Sequence, residues 1–510
     1  MTSRFASAFA TVSGLTGLSR VLGFVRDQLL AVFVGPGVLL DAWLIAFSLP
    51  NAARRTFAEG AMSAAFVPLL REHLTGSEMD AKEFARSAFS FLIFILTPLI
   101  TLLIFAMPWI IGMIAQEGTP DKTQVLAIIF GRIMLPYLLF MSLMALVGGV
   151  LDALGRFAAK AAAPTAFNLV MIGALSAIAW FDLAPGAWLS WATLLSGALQ
   201  LLVVWIPAAR MGWAPTLVWP RGMGLFVRRT VPGIISRGGY QISFLVVLAL
   251  ASTVEQDVSY RYLADRVYQL PLGLIGIALN TVLLSSLANL IADGKDTDAR
   301  YQLNRGLELA MLLALPITTA CIFQSEFLFE GLFEVGRFSH EDSRGAGVAL
   351  LGFSFGIPAA VGQMVVQPAF FARSNTDIPM FHSLASVVVA ISLSYILYPH
   401  LGLFGLALAA SASSWVGFIS LSAHGWALGY LLPDRQLLIR LIPMLLSAIL
   451  MAIMLGVGLK MLGDLSAIPF ASRVPLTLCI ISVSGAIYFT LTLILGGFSR
   501  SDMRKMLRQS

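Results

Sequence analysis

The stretch SLPNAARRTFAEGA, residues 48–61, packs Arg54, Arg55 and Glu59 into six residues of a chain otherwise dominated by membrane-length apolar runs. An ionised side chain at the bilayer centre costs somewhere between ~2.5 and ~17 kcal/mol, depending on method. A lipid-facing helix would not carry three. The surrounding chain has 510 residues, 58% hydrophobic and 12% charged, whereas soluble domains are roughly 25% charged. Apolar stretches of about 20 residues or more recur from end to end and number fourteen, so the expected fold is an all-α polytopic membrane protein. Among them, residues 38–70 contain the quoted stretch; 259–292, 378–398 and 403–429 matter below. The first, second and eighth are polar enough for hydropathy alone to miss. Residues 1–34 lack a small-residue cleavage site and read as a retained first helix, not a cleaved signal.

With the N-terminus inside, twenty of the 33 Lys and Arg residues fall in inside loops and six in outside ones. This bias predicts cytoplasmic N- and C-termini and an even number of spans. It also assigns the net charge of +6 to the cytoplasmic face and not to nucleic-acid binding. Seven arginines remain at membrane depth or near it: Arg20, Arg26, Arg54, Arg55, Arg132, Arg237 and Arg266.

The chain resembles itself. FSLPNAARRTFAEGAMSAAF (47–66) matches YQLPLGLIGIALNTVLLSSL (268–287) at a Leu-Pro step, RSAFSFLIFILTPLIT (86–101) matches RGLELAMLLALPITT (305–319), and RFAAKAAAPTAFNL (156–169) matches RSNTDIPMFHSL (373–384). The matches keep their order at separations of about 215–221 residues. They predict two pseudo-symmetric six-helix lobes of the same orientation, 1–215 and 216–432, with two extra helices and a cytoplasmic tail in 433–510. Two such halves facing a cavity is an alternating-access architecture.

Helical spacing groups the charges. Arg20 and Asp27 lie on one stripe of the first helix and Ser19 and Arg26 on the next; in the second, Asp41, Ser48, Arg55 and Glu59 share a face, with Pro50 predicted to kink the helix. The eighth repeats the pattern with Asp265, Arg266 and Gln269 before Pro271. These faces are expected to converge on the cavity. The plainer alternative is that the arginines only pair with nearby acids. Seven arginines against five acids (Asp27, Asp41, Glu59, Asp152 and Asp265) leave a positive surplus, which favours an anionic, phosphate-bearing substrate. For Arg132 and Arg237 snorkelling to the interface is the better reading. The five histidines are scattered without ligand spacing, and Cys321 and Cys479 lie far apart in apolar runs. Neither a metal site, a disulfide nor a catalytic residue is expected.

SRVLGFVRD (19–27), DAWLIAFSLPNAARRTFAEGAMSAAFVPLL (41–70) and YLADRVYQLPLGLIGIALNTVLLSSL (262–287) closely resemble the MurJ/MviN family of bacterial lipid II flippases, within the multidrug/oligosaccharidyl-lipid/polysaccharide exporter superfamily. The resemblance covers the full chain. It implies transport of undecaprenyl-pyrophosphate-linked disaccharide-pentapeptide from the cytoplasmic to the periplasmic leaflet of the inner membrane, for peptidoglycan and cell-wall biogenesis. It implies substrate binding by Arg20, Arg26, Arg54 and Arg266, with Arg55 added from the helical pattern above. Asp41 matches another position critical in the family; Ser19, Asp27, Glu59 and Asp265 are expected to support or gate the cavity. The last two helices are implied to hold the lipid tail. Membrane lipids and cell-wall synthesis proteins are the implied partners of a monomer, without nucleic acid.

No cofactor is expected, and membrane potential is a possible source of reset energy at ~2.3 kcal/mol per charge per 100 mV. Some family members bind sodium through an Asp in the seventh span; the matching QISFLVVLALAS (241–252) has no acid, and Ser394 replaces an Asn usual in the eleventh. A sodium site is therefore not supported. Ser285 stands where relatives often have Pro. The competing readings are an exporter of another anionic lipid-linked oligosaccharide or small molecule, a membrane enzyme acting on the same lipid, and a non-transporting scaffold. Cationic-drug export would need an acidic or apolar cavity. Enzymes of this kind need a large soluble loop or an acid cluster in one, and the sequence offers neither.

Overall fold

Short polar caps divide long apolar segments into helices, as seen in a computed structural model that describes residues 3–55, 62–115, 118–462 and 468–498. Gly35 and Gly37, at φ 72° and 143°, turn the chain between α1 (Ser3–Phe33) and α2 (Val38–Ala53), conformations that side-chain-bearing residues avoid. Ser77 accepts a hydrogen bond from the Asp80 amide at 3.0 Å and starts α4 (Glu78–Ile114) after α3 (Met62–Gly76). Ser339 and Asp342 form a reciprocal capping box at the head of α14 (His340–Ser354). All described secondary structure is helical.

The chain forms two compact units, residues 1–259 and 260–510. In the first, α1 packs along α7 (Ala158–Phe181), which packs on α8 (Pro185–Arg210); α8 also meets α6 (Tyr137–Ala153), and α2 lies on α5 (Asp121–Met134). Glycines let large rings approach α8: a Cβ on Gly186 would overlap Phe130, and one on Gly197 would overlap Tyr137. Trp43 stacks on Phe47 at 5.0 Å, and Phe47 stacks on Phe167 at 6.1 Å, joining α2 to α7. The unit continues through α9 (Gly224–Ala251) into the first turn of α10 (Asp257–Pro271).

In the second unit, α10 passes through a π turn, Leu272–Gly276, into α11 (Ile277–Ala292). The long α12 (Asp296–Phe323) packs on α15 (Ile357–Phe371) and on α17 (Arg435–Leu462). Arg305 and Glu308 of α12 pair with Asp434 and Arg440 respectively, an ionic seam that fixes α17 at one end. The short α13 (Ser325–Leu332), not expected from the sequence, packs on α14 and on α18 (Phe470–Ile494). Asp377–Ala427 (α16) is continuous over 51 residues apart from Gly402 at φ 55°, ψ −141°. Straight, it would run about 76 Å, more than twice a hydrocarbon core. His382 and His424 touch at 3.2 Å, so its arms fold back against each other as a hairpin, matching the expected 378–398 and 403–429. Cys321 and Cys479 are both free.

Among the described residues nine helical segments are long and apolar enough to cross a membrane, and the α14–α15 pair, bent by 43°, makes ten. The sequence count was fourteen. The second arm of α16 accounts for part of the difference, since one apolar segment there holds two expected stretches. The rest lies at α1, at α2–α3, where α2 is apolar but short and the described residues are interrupted, and at α9. The eighth stretch, polar as it is, is not missed: 257–292 passes.

Glycine contacts in α14 give a stability test. A Cβ at Gly352 would lie 2.9 Å from the Phe404 carbonyl oxygen and 3.2 Å from the Leu408 nitrogen, backbone atoms that cannot swing away. Gly352→Ala should therefore destabilise the solubilised protein by about 1–3 kcal/mol. Gly458→Ala in α17, where nothing lies within 4 Å, should be neutral or slightly stabilising. Thermal denaturation of the two variants side by side checks the difference.

Candidate functional site

The arginines at membrane depth differ in what surrounds them. Arg26, in the middle of α1, is held on three sides. Its Nε and one terminal nitrogen donate to Asp27 at 3.0 and 2.7 Å, the other donates to Asn168 Oδ1 at 3.0 Å, and the Phe167 ring lies 5.2 Å away. Asn168 is buried in α7, and its amide also donates to the Ser19 carbonyl at 2.8 Å and lies 3.3 Å from the Ser19 hydroxyl. One amide thus ties the Ser19–Arg26 stripe of α1 to α7. The sequence reading missed Asn168. A signal existed: PTAFNL lies in a repeat match, and an Asn amid apolar residues of a span needs partners.

Arg20, two turns earlier on α1, is exposed and has no hydrogen-bond or ion-pair partner among the described residues. In α2 the expected kink takes a specific form. Pro50 lacks an N–H, leaving the Ala46 carbonyl without its helical donor, and the backbone loosens into a π turn at Arg54–Arg55. Arg54 donates to Asn51 Oδ1 at 3.0 and 3.3 Å. Arg55 is half-buried; Glu59, its expected partner four residues on, lies outside the described residues. Pro271 stands in the matching place of the second repeat and is likewise followed by a π turn. There Arg266 lies over the Tyr262 ring at 4.6 Å, and Asp265 is hydrogen-bonded to Gln269 one turn on.

Asp41, expected to support or gate the cavity, has backbone partners. It is buried and accepts from the amide nitrogens of Gln256 (2.7 Å) and Ser259 (2.9 Å) and from the Ser259 hydroxyl. A carboxylate from α2 thereby caps the first turn of α10, meeting the unsatisfied N–H groups and the positive end of the helix dipole. Asp152 pairs with Lys160 at 2.5 Å. Arg132 donates to the Ile104 carbonyl at 3.2 Å; the side chain of Arg237 lies outside the described residues. Of the sequence-chosen set, the structure brings Ser19, Arg26 and Asp27 together through Asn168.

A family model described as lipid II flippase MurJ matches residues 30–466. A protein of Rhizobium meliloti (strain 1021) called a probable lipid II flippase MurJ is 37% identical over 98% of this chain and 96% of its own length. A lipid II flippase MurJ of Burkholderia cenocepacia (strain J2315) is 31% identical over 82% and 84%. Among solved structures, a lipid II flippase MurJ in an inward closed conformation superposes with a TM-score of 0.78 at 23% identity, covering 94% of this chain and 98% of that one. An inward-facing multidrug resistance transporter of the MATE family superposes at 0.69 with 14% identity over 80% and 94%. These two likenesses show the fold.

The contrast between Arg26 and Arg20 is measurable. Asn168→Ala removes an acceptor from a buried guanidinium and should lower stability by about 1–2 kcal/mol. Arg20→Ala should change it by no more than about 0.5 kcal/mol. Thermal unfolding of the solubilised variants distinguishes them.

Proposed function

The chain belongs to the lipid II flippase MurJ family, and from that membership we propose that it carries lipid II from the cytoplasmic to the periplasmic leaflet of the bacterial inner membrane, with both termini cytoplasmic. The pyrophosphate is the part of such a substrate that hydrocarbon excludes, and arginine is the side chain whose forked donors suit it. The observation that carries the reading is the fate of the carboxylates. Asp27 is engaged by Arg26, Asp41 by backbone amides, and Asp152 by Lys160. These three acids have partners of their own, and Arg20, Arg54, Arg55 and Arg266 are the proposed headgroup ligands. Arg26, locked by Asp27 and Asn168, supplies a fixed positive point and holds α1 on α7.

The hydrophobic tail needs a separate, apolar path. An open cavity of about 220 Å³ between α17 and α18, lined by Met451, Leu455, Gly458, Cys479, Val483 and Ile487, supports the assignment of those helices to the tail. No covalent step is involved: the headgroup crosses by a change in the side to which its site opens. Unloaded arginines respond to membrane potential and loaded ones less so, which gives the potential a role in reset. Sodium is not assigned one.

A leaflet-resolved accessibility assay for lipid II tests this. Arg20→Ala and Arg266→Ala, at wild-type protein level, should each slow translocation about tenfold to a hundredfold, the loss of a charge-assisted hydrogen bond worth about 1.5–3 kcal/mol. Wild-type rates in both variants would show that these guanidinium groups do not hold the headgroup.

A further inference from the structure

The five histidines look unrelated in sequence, yet folding brings His340 against a row of glutamates. Glu326 and Glu330 lie one turn apart on α13, Glu334 follows just past its end, and His340 opens α14. One donor atom each from Glu326, Glu330 and His340 lies within 4.8 Å of the others. We propose that these three side chains form a binding site for a divalent cation of the zinc class, independent of the flippase reading above.

The imidazole is oriented for this. Nδ1 lies 3.2 Å from Glu334 and 3.4 Å from Glu330, while Nε2 faces Glu326 at 4.0 Å. Glu334 is in turn fixed: it accepts from the Ser343 hydroxyl at 3.0 Å and from Arg473 of α18 at 3.0 Å, and Arg473 is anchored on the Ile468 carbonyl at 2.6 Å. A histidine ligand characteristically gives its second ring N–H to such a carboxylate, which sets tautomer and ring angle and presents the other nitrogen to the ion. Arg473 offsets the charge of Glu334; a divalent ion would add positive charge beside Glu326 and Glu330. Neither Glu330 nor Glu334 is a solvated surface acid, with side chains 12% and 10% exposed.

Imidazole with two carboxylates suits zinc better than magnesium, which prefers an octahedron of oxygens. Zinc–ligand distances of about 2.0–2.2 Å put tetrahedral neighbours about 3.3 Å apart. His340 and Glu326, whose side chains are 54% and 46% exposed, have the freedom to close the present spacing. A bound ion would staple α13 to α14 and, through Glu334 and Arg473, both to α18, which lines the apolar cavity.

The test uses the full-length protein in detergent, stripped with EDTA and titrated with zinc chloride, read by calorimetry and thermal shift. One equivalent of zinc should bind and raise the Tm, and magnesium should not. His340→Gln and Glu330→Gln should abolish the shift; Glu334→Gln should weaken binding about tenfold to a hundredfold. Glu326→Gln, at the most exposed of the three glutamates, guards against misfolding and should also lose binding while keeping the apo-protein Tm. A Tm indifferent to zinc, or a zinc shift that survives His340→Gln, overturns the proposal.

Discussion

The cost of holding guanidinium groups at membrane depth governs the rest of this molecule. A helix carrying them is stable only if each finds water, a carboxylate or a built polar partner. In α1 that partner is composite: Asp27 on the same helix, Asn168 on α7 and the face of Phe167 surround Arg26. The packing of α1 on α7 is thus a polar clamp set within an apolar contact. Hydrocarbon offers no alternative hydrogen-bond partner, so the clamp also fixes the helices' register.

The prolines act on the same constraint from the backbone. After Pro50 and again after Pro271 the helix loosens into a π turn, and in both repeats an arginine lies close by. A π turn frees carbonyls and rotates the following side chains relative to a regular helix. Regular α2 geometry would put Arg54 and Arg55 on the stripes that helical spacing predicts; the turn shifts both.

The helical class, the family and most helix positions were legible in the sequence, because apolar length and the Leu-Pro repeats are properties of neighbouring residues. Much of what escaped it depended on contacts across 142 to 218 residues. Asp41 is placed by its helical face beside Ser48 and Arg55, and its actual donors, the amides of Gln256 and Ser259, lie too far along the chain for periodicity to find. Asn168 is one polar residue in an apolar helix, and nothing local marks it as the hub of Ser19 and Arg26. His340 and Glu330 are ten residues apart with a turn between them, a spacing no simple ligand motif describes.

The arginines are therefore not equivalent, although one residue type in related motifs suggests that they should be. A guanidinium already satisfied by Asp27 and Asn168 has few donors left and is pre-oriented, so moving it toward an anion would break existing bonds. An exposed one such as Arg20 keeps its whole fork but must lose side-chain freedom, at up to about 2 kcal/mol, when it engages. A carrier that has to release its cargo benefits from this division. A fixed positive point attracts the anion without moving, while flexible forks grip and let go. If every arginine were clamped as Arg26 is, the helices would be better held and the anion poorly bound. If all were as free as Arg20, the headgroup would be gripped by a site with no frame.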